Sequence, residues 1–493
     1  MHSRVGLAAF AAIVVAASCA WAEGPHFATG IRIGEVDATS AIVWTRLTRD
    51  ASAVPVGAPL PLVEYTDEAG DIVPENNRRD PKLTPKVSFP GIDAASHAEA
   101  VAQLEGAAPG APGEVRVRYR AAGAEAWSET EWAAVDAARD FTRQVRLSGL
   151  APGTRYEIEA EARGTEGEPG AVITGGFRTA PAPEAEQAVS FVVSTCQDYP
   201  DRDLPDGFKI YGAIEKLDPD FFVLAGDILY YDSLAKSIEL ARWHWQRTFS
   251  LPTNLRFHRQ IANYFMKDDH DMLVNDCWPG METKFMGDFT FEQGLAVFRE
   301  QVPMGERTYR TVRWGKDLQV WMVEGRDFRT PNDLRDGPEK TIWGAEQLAW
   351  FKRTVAESDA TFRVLISPTP IVGPDRGTKN DNHANRGFTH EGNLLREFIA
   401  SQPGMIVVCG DRHWQYVSRD GKTGVREFSC GPASNEHANG WKEDDRRPEH
   451  DYVNVVGGFL SMHVSRDESG PRLQARHHDV NGAVLYETLL RRE

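Results

Sequence analysis

Four short apolar runs in this chain end in side chains that bind metals or move protons. The run 191–195 leads into Cys196. The run 221–226 leads into Asp227, with Tyr230 three residues on. The run 264–267 leads into Asp268, Asp269, His270 and Asp271, and the run 405–410 into Asp411 and His413. In an open α/β sheet, ligands collect just beyond the carboxyl ends of the strands. Four such strands would bring thiol, phenol, carboxylate and imidazole groups to one polynuclear site. One strand of this kind is ordinary; four in series make an active site the leading reading.

The elements that must position these residues are legible in outline. After a stretch rich in Ala, Pro and Glu at 180–186, which reads as a linker, apolar strands alternate with helical stretches at 238–249 and 343–358. That order is the order of a mixed α/β layered fold. The closing segment 459–489 returns to strict alternation, with 478–482 as a turn between two strands. Ahead of the linker, 27–179 reads as β structure. Residues 41–45 and the alternating 115–119 are strand-like, and the run Leu150-Ala151-Pro152-Gly153-Thr154-Arg155-Tyr156 feeds a strand with Tyr156, Ile158 and Ala160 on one face. That Leu-x-Pro-Gly-Thr-x-Tyr run resembles a strand entry of fibronectin type III-like sandwiches. A Pro/Ala/Gly-rich insertion between 50 and 113 shows no clear pattern.

The 493 residues suffice for two or three domains. A formal charge of −17 argues against a duplex nucleic-acid binder, which needs a basic face. It also means that an anionic substrate must be drawn by local metals or arginines against the overall field. No apolar run of about 18 residues follows the first stretch of the chain, so no membrane span is expected after it. Residues 1–22 have the layout of a secretory signal: His2 and Arg4, an apolar stretch at 5–15, then Ala20-Trp21-Ala22 at the cleavage positions. The mature protein is therefore expected in the periplasm or outside the cell. The apolar run is short for a membrane anchor, and Cys19 lacks the large aliphatic residue three positions ahead that a lipoprotein signal carries. Of the five cysteines, Cys19 would leave with the signal. Disulfides are the default for the rest of an exported chain, but at Cys196, among acidic strand ends, ligation competes with pairing. Cys409 and Cys430 lie in apolar runs and read as buried thiols or a bridge.

Gly226-Asp227, then Asp269-His270-Asp271, then Gly410-Asp411-Arg412-His413 resemble the motif series of the calcineurin-like metallophosphoesterases, with consistent departures. Ser194-Thr195-Cys196-Gln197 stands where those enzymes have Asp-x-His. The second motif ends in Tyr230, Asp268-Asp269 replaces Gly-Asn, and Asp411 replaces a His. These are the departures of the PhoD-like alkaline phosphatases, and the chain resembles that family over nearly its whole length. Residues 323–329 resemble the family's Leu-Asp-Thr-Arg-x-Tyr-Arg run, with Glu324 for Asp, and Gln347 with Trp350 also match. The family's lone His motif has no counterpart: residues 364–370 occupy its place without a His. The resemblance implies an α/β fold, an N-terminal fibronectin type III-like β-sandwich (25–181) followed by a metallophosphatase αββα sandwich domain (188–493).

The chemistry is consistent with this. Thiolate and phenolate donors beside carboxylates suit trivalent iron better than magnesium, and carboxylate-rich partners suit a hard cation such as calcium. By resemblance, Fe(III) sits with Cys196, Asp227 and Tyr230, together with one or two Ca(II), and Asp227, Asp269, Asp411 and His413 are shared between the ions. Asn275 with Asp276 reads either as further ligands or as a helix-start turn. The expected reaction is hydrolysis of a phosphoester, by monoesterase or diesterase action, with a metal-bridging hydroxide attacking phosphorus in line. His270 is the expected substrate contact or general acid, oriented by Asp271. Arg326 is a candidate phosphate clamp, or half of a structural ion pair with Glu324. His383, in a polar loop, could replace the missing His, although a solvated loop residue is the simpler reading. His244, between two tryptophans, reads as packing, and His477 and His478 as structural. Two other classes of function compete: a non-catalytic binding protein that uses metals only for stability, and a hydrolase of sulfate or phosphonate esters. Relatives often carry a twin-arginine signal. Here Arg4 stands alone, so the general secretory route is expected.

Overall fold

A computed structural model describes residues 24–74 and 80–492. The signal expected at 1–22 lies outside them. Two large sheets face each other across a core of Val193, Phe221, Val223, Met266, Val320, Val364, Ile406 and Val408. The central strands are buried on both faces and read as unbroken apolar runs, as parallel strands covered on two sides must. In the first sheet, Val189–Ser194, Phe221–Ala225 and Ala262–Met266 run parallel side by side. In the second, Leu318–Met322, Phe362–Ser367 and Met405–Cys409 do the same. Helices Ile238–Phe249 and Phe291–Gln301 contribute to the apolar layer on the outer face of the first sheet. Gly344–Glu357 and Thr389–Ala400 do so on the second. The result is the expected αββα sandwich. The helix expected at 238–249 occupies those bounds, with Ser237 accepting from the Leu240 N–H as its N-cap. The alternating C-terminal segment forms the antiparallel strands Gly458–Asp467, Gly470–Asp479 and Val484–Arg491 at one edge of the first sheet.

The N-terminal sandwich pairs Ile31–Gly34, Ser40–Arg46 and Thr142–Ser148 against a sheet built on Glu114–Ala121, Arg155–Arg163 and Pro169–Arg178. Tyr156, Ile158 and Ala160 all point into its core, as their spacing indicates. The sandwich is not hung on a linker alone. Ile33 pairs in parallel register with Ala262, so its first sheet continues into the first sheet of the αββα layers as a single nine-stranded sheet. The other face of these strands is buried too. Arg32 lies flat between the rings of Trp44 and Phe249, at 3.8 and 3.9 Å, and donates to the Gln301 carbonyl.

The insertion at 50–113 is more regular than its composition suggests. It holds a hairpin, Leu62–Thr66 with Thr84–Ser88, and a short helix, His97–Val101. It folds back onto the outer helical layer: Tyr65 stacks on Phe285 at 4.7 Å, and Trp243 Nε1 donates to the Glu105 carbonyl. Its polar turns follow no single period because its apolar residues pack on another part of the chain. Among the described residues no helix is long and apolar enough to cross a membrane.

Because the nine-stranded sheet spans both halves, Ile33→Ala is expected to lower the stability of the whole chain by about 2–5 kcal/mol. Unfolding in urea, followed by tryptophan fluorescence and far-ultraviolet dichroism, should show one shared transition moved to lower denaturant. Two separated transitions, with only the first moved, would mean that the sandwich unfolds by itself.

Candidate metal centre

All four strand ends meet where the two facing sheets come together. Cys196, Asp227 and the 268–271 turn belong to the first sheet, and Asp411 and His413 to the second. Three of these donors sit just past their strands in left-handed backbone: Cys196 at φ 53°, Asp227 at φ 50° and Asp411 at φ 63°. Non-glycine residues adopt this region at a cost, and such residues concentrate at functional sites. The glycines ahead of the two aspartates permit the loops to close. A Cβ on Gly410 would stand 2.4 Å from the Ala225 carbonyl oxygen, and one on Gly226 would stand 2.9 Å from the Asp268 Cβ.

One donor of Cys196, Asp227 and His413 each lies within 4.8 Å of the others. Tyr230 joins them, its oxygen 3.3 Å from His413 Nε2. Asp227, Asp268 and Asp411 form a second such group, and Asp227, Asp269 and His270 a third. Asp227 belongs to all three, so its carboxylate would be shared by any cations these groups hold. Asp227 Oδ1 and Asp268 Oδ2 are buried with no hydrogen-bond partner. Burial is costly for such atoms unless a cation meets them.

The electrostatics agree. Burial, aggravated by Asp227 and Asp411, pushes the Cys196 thiol well above its ordinary value. Burial, with the Cys196 and Asp227 charges, does the same to the Tyr230 phenol. Burial raises Asp227 strongly, with Asp269 and Asp268 adding to it, and pushes Asp411 up to about 7. Burial, with His437 and His270 nearby, holds His413 well below its usual value, in the neutral form that ligates metals. A bound cation reverses this for the acids and holds them ionised. The donors present therefore fit a metal centre with one soft, thiolate-bearing pocket and one all-oxygen pocket.

The positions read from the sequence fall into place unequally. Cys196, Asp227, Tyr230, Asp269, His270, Asp411 and His413 are gathered here. Asp268, adjacent to Asp269, belongs with them, and its place in the same acidic turn is the signal for it. Asn275 lies in a turn in which no helix starts. Its main-chain N–H donates to Asp232, and the next N–H, of Asp276, donates to Asp269 Oδ2 at 2.5 Å. Arg326 is not an open phosphate clamp. It is fully buried, donates through Nε to Asp268 Oδ1 at 2.5 Å, and lies 3.6 Å from Asp269. It also donates to the Cys277 carbonyl, so its charge serves to hold the two carboxylates in place. Glu324 takes Lys267 as its ionic partner, at 2.6 Å.

His270 is not oriented by Asp271, whose oxygens accept the Leu229 and Asp268 N–H groups and brace the loop. The partner of His270 Nδ1 is Asp232, at 2.6 Å. Although burial opposes it, Asp232, Asp269 and Asp227 together hold the imidazole protonated well above its usual range. His383 is buried against Glu391 and is neither ligand nor solvated. Cys277, Cys409 and Cys430 are buried free thiols. Sequence reasoning missed Asp232, Asp201 and His437. The strand Arg426–Cys430 also runs into a polar loop, the one carrying His437, so the strand-end rule applied a fifth time would have found that residue.

Comparison with known proteins bears on the same residues. A family model described as PhoD-like phosphatase matches residues 191–457, which is over half of the chain. The chain belongs to the PhoD-like phosphatase family. The match runs from the Cys196 strand past the His437 loop, and so contains every donor named above. A solved structure of PhoD superposes on this PhoD-like chain with a TM-score of 0.69 at 16% identity, covering 95% of this chain and 90% of that one. A purple acid phosphatase from yellow lupin (Lupinus luteus) seeds superposes with a TM-score of 0.57 at 13% identity, covering 95% and 74%. At these identities the likeness is one of fold, and it extends over the sandwich as well as the catalytic layers. No curated protein sequence matches significantly.

Asp411 provides a test of the electrostatics. Its folded value near 7 lies above the ordinary 3.8. In metal-free protein its ionisation therefore lowers stability progressively as pH rises from about 4 to about 7, and the penalty is complete above that. Asp411→Asn, without metal, should match the wild type near pH 4.5 and exceed it at pH 8 by an amount on the order of 2–4 kcal/mol. Supplying metal should reverse the order. Equal stability of the two chelated proteins at pH 8 would sink this account.

Proposed function

We propose that this PhoD-like phosphatase is an exported phosphatase or phosphodiesterase whose site holds Fe(III) and Ca(II). The observation that carries the reading is the shared Asp227, with a thiol, phenol and imidazole on one side and carboxylates on the other. Cys196, Tyr230, His413 and Asp227 would hold the iron, because thiolate and phenolate favour a trivalent ion. Asp227, Asp268, Asp269 and Asp411 would hold calcium, which takes oxygen ligands. When bound, the metals supply Lewis acidity: they ionise water near neutral pH and neutralise the phosphoryl oxygens of an in-line displacement.

The chain's own residues do the rest. Arg326 fixes Asp268 and Asp269 from behind. Asp232 holds His270 Nδ1, which leaves Nε2 as the nitrogen able to give a proton to the departing ester oxygen. A phosphoester would be attracted locally by the bound cations, where the net charge of −17 would repel it. Monoesters and diesters both present the required leaving oxygen. Export rests on the signal-like residues 1–22.

Elemental analysis of protein purified without a metal-binding tag should find iron and calcium, with iron lost in Cys196→Ala. Hydrolysis of p-nitrophenyl phosphate and of its bis-ester should fall at least about 100-fold in both Asp227→Asn and His270→Ala. Full activity of Asp227→Asn would refute the metal mechanism. Zinc or manganese in both the wild type and Cys196→Ala would refute the iron site.

A further inference from the structure

Tyr230 needs a support that its own element does not provide. It lies past the end of its strand, in a segment without regular structure, and its ring carries the phenol oxygen far from the main chain. A ligand on so long a lever is only as well placed as whatever holds its tip. Three side chains meet that oxygen: Cys196, whose thiol hydrogen-bonds with it, and two histidines. One is the fellow donor His413, at 3.3 Å. The other, closer, is His437, whose Nε2 stands 2.8 Å away.

His437 is itself held. Its Nδ1 is 2.7 Å from Asp201 Oδ2, and its ring lies against that of His413 with centroids 4.1 Å apart. Its side chain is largely buried. The loop that carries it is tied to the main chains of two further donors. The Ala433 N–H donates to the Cys196 carbonyl, and the Asn439 N–H to the His413 carbonyl. Asn439 Nδ2 donates to the His437 carbonyl and sets the turn between these ties. Gly457 lies so close behind the loop that a Cβ there would stand 2.3 Å from the Ser434 carbonyl carbon. Residues 433–439 thus touch Cys196 and His413 through the backbone and Tyr230 through His437. Asp201, five residues after Cys196, closes the circuit.

We propose that His437, braced by Asp201, is the positioning residue for Tyr230, and that the 433–439 loop is the clamp that sets the soft half of the metal centre. The inference rests on Tyr230 acting as a ligand, as in the proposed function. His437 acts through Tyr230 and has no direct part in proton transfer to the substrate. A nitrogen bonded to the phenol oxygen fixes where that oxygen points. When the oxygen is a bound phenolate, an N–H at that place also draws electron density from it. The other two neighbours of the oxygen, Cys196 and His413, are themselves members of the donor group, and His270 faces the Tyr230 ring, with centroids 4.4 Å apart and its Nδ1 engaged with Asp232, so His437 is the contact that stands outside that group.

The test compares the wild type with His437→Phe, which keeps a ring without a donor, and His437→Gln, which keeps an N–H. Crystal structures come first because they need no metal. In His437→Phe the Tyr230 ring should turn so that its oxygen leaves His413; in His437→Gln it should stay. Visible absorption of the iron-loaded proteins comes second. The phenolate-to-iron band should move to longer wavelength in His437→Phe and return in His437→Gln. The kcat for bis(p-nitrophenyl) phosphate should fall about 10- to 100-fold in His437→Phe with little change in KM, and recover in part in His437→Gln. An unmoved Tyr230 in the His437→Phe crystal would overturn the proposal whatever metal is present. So would an unshifted band in protein of equal iron content. A wild type with no visible band would count against the iron reading alone, and the crystal comparison would then decide the role of His437.

Discussion

The structure turns on one electrostatic constraint: a buried cluster of acids must be kept from repelling itself apart. Buried Asp227, Asp268 and Asp269 converge with buried Cys196 and with the part-buried Asp411 and Tyr230. In a medium of low polarity, carboxylates this close cannot all ionise without cations among them. Part of the compensation is covalent to the chain. Arg326 grips Asp268 and Asp269, Arg412 meets Asp411 at 2.6 Å, and Lys379 meets Asp276 at 2.9 Å. These side chains form a positive frame behind the acids. The frame leaves Asp227 Oδ1 and Asp268 Oδ2 without partners, and those are the atoms where the remaining charge must come from outside.

The same constraint explains the backbone. Donors brought within a few ångströms from separate strands cannot all arrive in comfortable conformations. Cys196, Asp227 and Asp411 take the left-handed turn, and Gly226 and Gly410 remove the side chains that would hold the loops apart. The layers beneath supply the rigidity that makes this tolerable: sheets whose central strands are fully buried, closed by helices on both outer faces, and a first sheet that shares strands with the sandwich.

How far this was legible in the sequence depends on distance along the chain. The strand ends announced themselves because an apolar run followed at once by an acid is a local signal. Cys196, Asp227, Asp269, Asp411 and His413 are legible that way, and the stretch 238–249 reads as helical from its own residues. What stayed hidden is set by contacts between distant segments. Arg326 has the residue type of a phosphate clamp, but its partners lie 58 residues away in sequence at Asp268, and burial decides its role. Asp232 and Asp271 both flank the site in sequence, and only the fold tells which of them reaches His270. His437 lies in a loop without periodicity, 207 residues from the tyrosine it meets. The insertion at 50–113 showed no pattern because its apolar side chains answer to Phe285 and to the helix carrying Trp243 as well as to one another.

The division of donors between the two sheets has a further consequence. Cys196, Asp227 and Asp268 ride on one layer, Asp411 and His413 on the other, and packed side chains such as Val223 and Val408, with polar ties such as Arg326 to Asp268 and Lys267 to Glu324, keep the layers at their separation. Interiors of this density transmit small changes in volume rather than absorb them. The hydrocarbon filling therefore acts as a spacer for the inorganic chemistry at its rim. A methylene gained or lost deep between the sheets alters the span that an ion must bridge. Residues that never touch an ion would thus help to set which ionic radius the proposed centre accepts.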